Sequence, residues 1–264
     1  VLDIVEGKAV DRGIHILHLP AGASVSQAYP VLFTRRGRHR IDGVKIQTRF
    51  PFGLFIKSAN LFLISDLVVY PELRPLPESL AHDLAVLGYD QALSKRGPGI
   101  GLYNLREYRH GDDSRTIHWK TTARQSRLMV RETETEDLRQ VTLALPTAVP
   151  DGHAPEGFER AVSLTASLAA HFHQQGFAVR LLVGAQEVPH GVGEPHLYRM
   201  LHVLALCESV PAGQPDAAAL DGLRALGDRT ARGELTIVVM SWQDPAVEAA
   251  CRGASRLVPA WETR

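Results

Sequence analysis

The pattern of apolar and polar positions changes twice along the chain. Residues 1–75 consist of short alternating runs: GIHILHL (13–19), HRIDGVKIQTRF (39–50) and FLISDLVVYP (62–71), separated by Gly, Pro and Asn. Alternation with a period of two sends successive side chains to opposite faces, so these runs predict half-buried strands. No helical periodicity of useful length interrupts them, and a small antiparallel β-sandwich is the expected fold of this part. From residue 138 the pattern differs. RQVTLALP (139–146) alternates at Val141, Leu143 and Leu145, and EGFERAVSLTASLAAHFHQQG (156–176) places Phe158, Val162, Thr165, Ala169 and Phe172 at helical spacing before Gly176. FAVRLLVG (177–184) predicts a second strand. PHLYRMLHVLALCES (195–209) and DAAALDGLRALGDRT (216–230) predict helices. LTIVVMS (235–241) is a nearly continuous apolar run, as in a strand buried on both faces. DPAVEAACRGA (244–254) predicts a last helix and RLVPA (256–260) a last strand. Strands alternating with helices predict a Rossmann-like, mostly parallel sheet with helices on both faces.

Between these parts, residues 76–137 predict a linker followed by a charged segment. PELRPLPESL (71–80) has three prolines and cannot be the interior of a regular element. A short helix is expected at about 80–87, and KRGPGIG (95–101) reads as a hinge. A phosphate loop would need a Gly-Lys-Ser/Thr ending and a preceding apolar strand, which KRGPGIG lacks. The fold class that results is α+β with two domains: a β-sandwich over 1–75 and an α/β domain over 138–264, joined by 76–137.

The chain has 29 basic and 29 acidic residues, which argues against a protein built mainly to coat nucleic acid. Cys207 and Cys251 fit no metal or disulfide spacing and read as free thiols of a reducing compartment. The most apolar short stretch, LFLISDLVVY (61–70), is broken by Asp66 and is too short to span a bilayer. The chain opens at Val1, not Met, on residues that already read as a strand, so a fragment of a longer protein is expected.

The charge is concentrated. Residues 106–136, REYRHGDDSRTIHWKTTARQSRLMVRETETE, hold seven Lys/Arg and six Asp/Glu. Gly111 allows a tight turn, and Asp112 or Asp113 is expected to cap a short helix running through Arg124. On that helix Arg115 and Trp119 stand one turn apart, as do Lys120 and Arg124. The segment reads as an ionic and aromatic clamp joining the two domains and presenting a docking surface. Asp112 and Asp113 accept from Arg106, Arg115 and Arg124, Trp119 packs at the junction, and Glu107, Tyr108, His118 and Lys120 complete the network. The competing reading is a metal-dependent hydrolase using Asp112, Asp113 and His118.

The same residues carry a resemblance. Arg106 to Tyr108, Gly111 to Asp113, Arg115, Ile117 to Lys120, Ala123 with Arg124, and Arg127 to Val130 resemble the hallmark of the bacterial domain-of-unknown-function 58 family. RRGRH, FPFGLF and VVYP upstream resemble it as well. The resemblance implies a C-terminal von Willebrand factor A-like domain and a cytoplasmic position at the inner membrane, anchored by helices this chain lacks. It also implies work beside a MoxR-type AAA+ ATPase, as a non-catalytic adaptor in the assembly or maturation of a partner. No cofactor or enzymatic activity is carried over. Metal-binding von Willebrand A domains place Asp-x-Ser-x-Ser after the first strand. Here Pro146, Ala148 and Pro150 stand at those positions with Thr147 between them, so that metal site is expected to be degenerate.

The remaining features have plainer readings. RRGRHR (35–40) could touch anionic headgroups, but exposed, solvated arginines around a turn are favoured. FPFGLF (50–55) could bind a partner, but a corner packed into the sandwich core is favoured. His171 with His173, and His15 with His18, fall on different faces of their predicted elements, and none of the four is expected to bind metal.

Overall fold

The computed structural model describes residues 1–10, 13–49, 52–95, 105–108, 117–125, 127–131, 139–150, 155–211, 217–231, 234–243 and 245–261. Strands β1 (Leu2–Val5), β2 (Lys8–Ala9), β3 (Gly37–Thr48) and β4 (Lys57–Val69) form one antiparallel sheet in the order β2-β1-β3-β4. Among the described residues this part is a single sheet, and the expected sandwich is corrected accordingly. The run at 13–19 is not a strand; Leu17 is fully exposed there. A second layer would have needed that run as a strand. The sheet bends at Gly43, where the β3–β4 register shifts between the pairs Ile41–Ser65 and Gly43–Phe62. Gly43 has φ +146°, and a Cβ there would stand 2.0 Å from the Leu61 carbonyl oxygen, so only glycine fits the bulge.

Helix α1 (Glu78–Lys95) is longer than the helix expected at 80–87. Its Leu80 and Leu84 are buried in the core of the α/β sheet, and Asp83 accepts from Arg256 at 2.7 Å. Next come β5 (Leu105–Glu107), α2 (Trp119–Gln125) and β6 (Met129–Arg131), with β5 and β6 paired antiparallel.

The C-terminal part contains β7 (Gln140–Leu145), β8 (Ala148–Val149), α3 (Pro155–Gln174), β9 (Ala178–Val183), β10 (Gln186–Gly191), α4 (Glu194–Leu206), β11 (Val210–Pro211), α5 (Ala217–Arg224), α6 (Leu226–Ala231), β12 (Leu235–Met240), α7 (Pro245–Ala250) and β13 (Arg256–Pro259). Its main sheet has the order β10-β9-β7-β12-β13; all pairs are parallel except β9–β10. One face takes Val141, Leu143, Leu145, Leu235, Ile237 and Val239 against α1, α3 and α4. The other takes Ala144, Val238 and Met240 against α5, α6 and α7. Both faces of β7 and β12 are covered, which is why LTIVVMS in β12 reads as a nearly continuous apolar run. The helix expected at 216–230 is divided into α5 and α6. Sequence reading missed β10, because Pro189 argues against a strand; at the sheet edge it is tolerated, and the register shifts between Val188 and Gly191.

Candidate functional site

The described residues of the charged segment, 105–108, 117–125 and 127–131, pair with one another. Glu107 lies opposite Met129, the Tyr108 N–H donates to the Leu128 carbonyl at 2.8 Å, and the His118 N–H donates to the Met129 carbonyl at 2.8 Å. Thr122 Oγ1 accepts from the Met129 N–H at 3.0 Å, tying α2 to β6, and Met129 itself is buried. The helix begins at Trp119, and the residue before it is His118. His118 Nδ1 lies 2.9 Å from Thr121 Oγ1 and 3.3 Å from the Thr121 N–H. His118 is therefore the cap of α2, a role expected of Asp112 or Asp113. A histidine outside the usual capping set gave no sequence signal for this.

Gly111, Asp112, Asp113 and Arg115 lie outside the described residues, as do the side chain of Arg106 and most of KRGPGIG. Glu107 of the expected network accepts from Arg127, a donor not expected for it, at 2.6 Å, with both side chains largely exposed. Trp119 is not packed at a junction; it is 66% exposed. Lys120, Ala123 and Arg124 on the same short helix are exposed as well. The arrangement presents an aromatic ring and two cations to solvent. Among the described residues no three His, Cys, Asp or Glu side chains converge as a metal site requires.

The described clamp between the two parts lies elsewhere. Arg36, expected to be a solvated turn residue, has a side chain only 9% exposed. It donates to the Leu204 carbonyl at 2.8 Å and to the Cys207 carbonyl, pairs with Glu159, and sits 5.6 Å from the centroid of the Phe158 ring. One guanidinium therefore ends α4 and holds α3, a fork geometry that lysine cannot reproduce. The segment after β4 follows the same helix: Ser163 Oγ donates to the Glu72 carbonyl at 2.6 Å, and Ser167 Oγ accepts from the Arg74 N–H at 2.9 Å. Beside these contacts lies an open cleft of about 920 Å³ lined by Tyr70, Arg74 and Pro75 on one side and Glu156 and Arg160 on the other. Nothing in RRGRHR distinguishes Arg36 from its neighbours, because its partners are some 120 to 170 residues away in the chain.

Two further places on the α/β sheet carry chemistry. At the carboxyl ends of β7 and β12 the strand order reverses, the usual ligand position in such sheets. Here Trp242 Nε1 donates to the Ala148 carbonyl at 2.8 Å, and β8 pairs in parallel with β11. Pro146 is buried, and Thr147, Ala148 and Pro150 are half-buried. At the opposite, amino-terminal end of the strands, buried Glu234 accepts from Thr142 Oγ1 and lies 3.1 Å from His190 Nε2. Burial pushes its carboxyl up. The hydrogen bonds from His190 and Thr142, with the charges of His190 and Arg180, outweigh burial and hold it below the ordinary glutamate range. His171, His173, His15 and His18 form no common site; the Nε2 of His171 meets Gln175 at 3.0 Å. Both thiols are free. Burial pushes Cys207 up, against the lowering effect of Arg36, and pushes Cys251 up to about 11.

The fold and site define a mixed α/β protein in which an antiparallel sheet is locked to a doubly wound sheet by Arg36, with a short exposed motif helix between them. The chain belongs to the family described as "Protein of unknown function DUF58", whose profile matches residues 104–256. It is similar to the Uncharacterized protein YeaD of Bacillus subtilis (strain 168), with 27% identity over 188 residues, 69% of this chain and 46% of that protein. The chain thus spans about half the length of the curated relative it matches. No solved structure matches it.

Proposed function

We propose that the chain is a non-catalytic adaptor that docks a partner protein through the exposed face of α2. The observation that carries this reading is Trp119, 66% exposed beside Lys120 and Arg124 inside the family-matched region. Tryptophan and arginine dominate binding hot spots, and a ring of that size left in water gains when a partner covers it. The bridge from Trp242 to Ala148 supports the same reading, because the chain itself occupies the usual ligand position of the sheet. The doubly wound order with helices on both faces supports a von Willebrand factor A-like assignment for residues 138–264, with Pro146, Ala148 and Pro150 in place of the metal ligands. The family resemblance suggests the partner, a MoxR-type AAA+ ATPase, and a parent protein anchored at the cytoplasmic face of the inner membrane. The adaptor would couple nucleotide-driven motion to the assembly of a third protein.

The test is binding to a MoxR-type AAA+ ATPase, with and without ATP. Trp119→Ala should weaken binding by roughly thirtyfold, the size of a hot-spot loss near 2 kcal/mol, and Arg124→Ala should weaken it less. Neither should lower the melting temperature, because both side chains face solvent. Absence of binding by the wild-type chain in both nucleotide states removes the partner assignment.

A further inference from the structure

The β3–β4 hairpin ends in a surface that the rest of the described chain leaves bare. Its root is held, with Gly37 beside the Ala205 carbonyl and Arg36 inserted between α3 and α4. Strand β1 accompanies β3 only as far as the Leu2–Lys45 pair. Beyond it, β3 and β4 pair with each other to Thr48–Lys57, and the Gly53 N–H donates to the Arg49 carbonyl at 2.8 Å in the turn. At this tip Phe52, Leu54 and Phe55 are 81%, 80% and 78% exposed, and Ile56 is 57% exposed. Farther along the edge strand β4, Phe62 and Ile64 on one face and Leu63 on the other are exposed as well. The expectation that FPFGLF packs into a core is therefore wrong for Phe52, Leu54 and Phe55. Four large apolar side chains exposed together at one hairpin tip mark an interaction surface.

Charge decides what covers it. From Gly43 to Ser65 the chain carries Lys45, Arg49 and Lys57 and no Asp or Glu. A second copy of the chain would set these cations against their own kind. An anionic bilayer matches both halves of the pattern: the apolar side chains enter the boundary between headgroups and acyl chains, and the cations meet phosphates. Lysine and arginine on either side of the turn can lay their stems along the apolar surface while their charges stay at headgroup level.

We infer that the tip of the β3–β4 hairpin is a lipid-contacting element that inserts Phe52, Leu54, Phe55 and Ile56 into an anionic membrane surface, with Arg49 and Lys57 on the headgroups. The inference stands on the hairpin alone and does not depend on the docking role of α2.

The experiment is flotation of the chain with vesicles of phosphatidylcholine, and with vesicles of an equal mixture of phosphatidylcholine and phosphatidylglycerol. The wild type should float with the mixed vesicles, less so at high salt. The double variant F52S/F55S and the double variant R49E/K57E should each bind about tenfold more weakly or worse, with unchanged melting temperatures. Failure of the wild type to bind mixed vesicles overturns the inference. So does a wild-type affinity in F52S/F55S, which would make the attraction purely electrostatic. A dimer in sedimentation that F52S/F55S dissociates, with no vesicle binding, would assign the patch to a second copy instead.

Discussion

Arg36 shows how one side chain can hold two parts of a protein together. Its five N–H donors serve two carbonyls at the end of α4 and a carboxylate on α3, with an aromatic ring alongside. Arg36→Ala takes this donor from the carbonyls of buried Leu204 and half-buried Cys207, and a loss of about 2 kcal/mol is expected in urea unfolding. Arg36→Lys should recover little of it. Glu234 makes a different prediction. Its folded carboxyl titrates below the ordinary glutamate range. Its stabilising contribution is therefore complete above the unfolded value of about 4.3 and is lost as pH falls through the lower folded value. Melting temperature should drop on acidification through that window, and Glu234→Gln should flatten this part of the curve. Cys251, 1% exposed with its thiol pushed up to about 11, should resist thiol reagents at neutral pH until the chain is unfolded.

Among the elements, α1 best separates pattern from packing. Its weak amphipathic pattern predicted a short helix in a linker, yet Leu84 is 1% exposed against the sheet core. Leu84→Ala should cost about 2–5 kcal/mol, as for a buried leucine in any core, and thermal unfolding measures it. Of the main sheet, β12 was legible because full burial demands a nearly continuous apolar run, and β7 because its apolar positions alternate. The edge strand β10 was not, because one edge tolerates Pro189. In the charged segment, α2 and β6 were expected from spacing and alternation, but the cap fell to His118, and the expected packing of Trp119 gave way to exposure. Local spacing sets which residues share a helix face; whether another element covers that face depends on residues far away in sequence.

At the scale of the whole molecule, the chain combines a well-packed α/β sheet with a β sheet whose outer strand and hairpin tip are apolar and exposed. The two should respond differently to change. Core substitutions in β7, β12 or α3 will lower stability, whereas substitutions at Trp119 or Phe55 will change binding and leave stability alone. No helix among the described residues is long and apolar enough to cross a membrane. The bilayer contact inferred here is therefore one of surface insertion, within the reversible range of a few side chains and charges.

From local pattern alone came the strands β7, β9, β12 and β13, the helices α3, α4 and α7, their order along 138–264, and the family to which the chain belongs. Each rests on local periodicity or on a contiguous motif. It took tertiary contacts to make Arg36 the clamp, to complete the α/β core with α1, to leave residues 13–19 outside any strand and to leave Phe52, Leu54 and Phe55 exposed. The physical reason is common to all four. Burial is a property of what lies opposite a side chain, and the partners of Arg36 and Leu84, like the missing cover over Phe52 and Phe55, are set by contacts or gaps that no local pattern encodes.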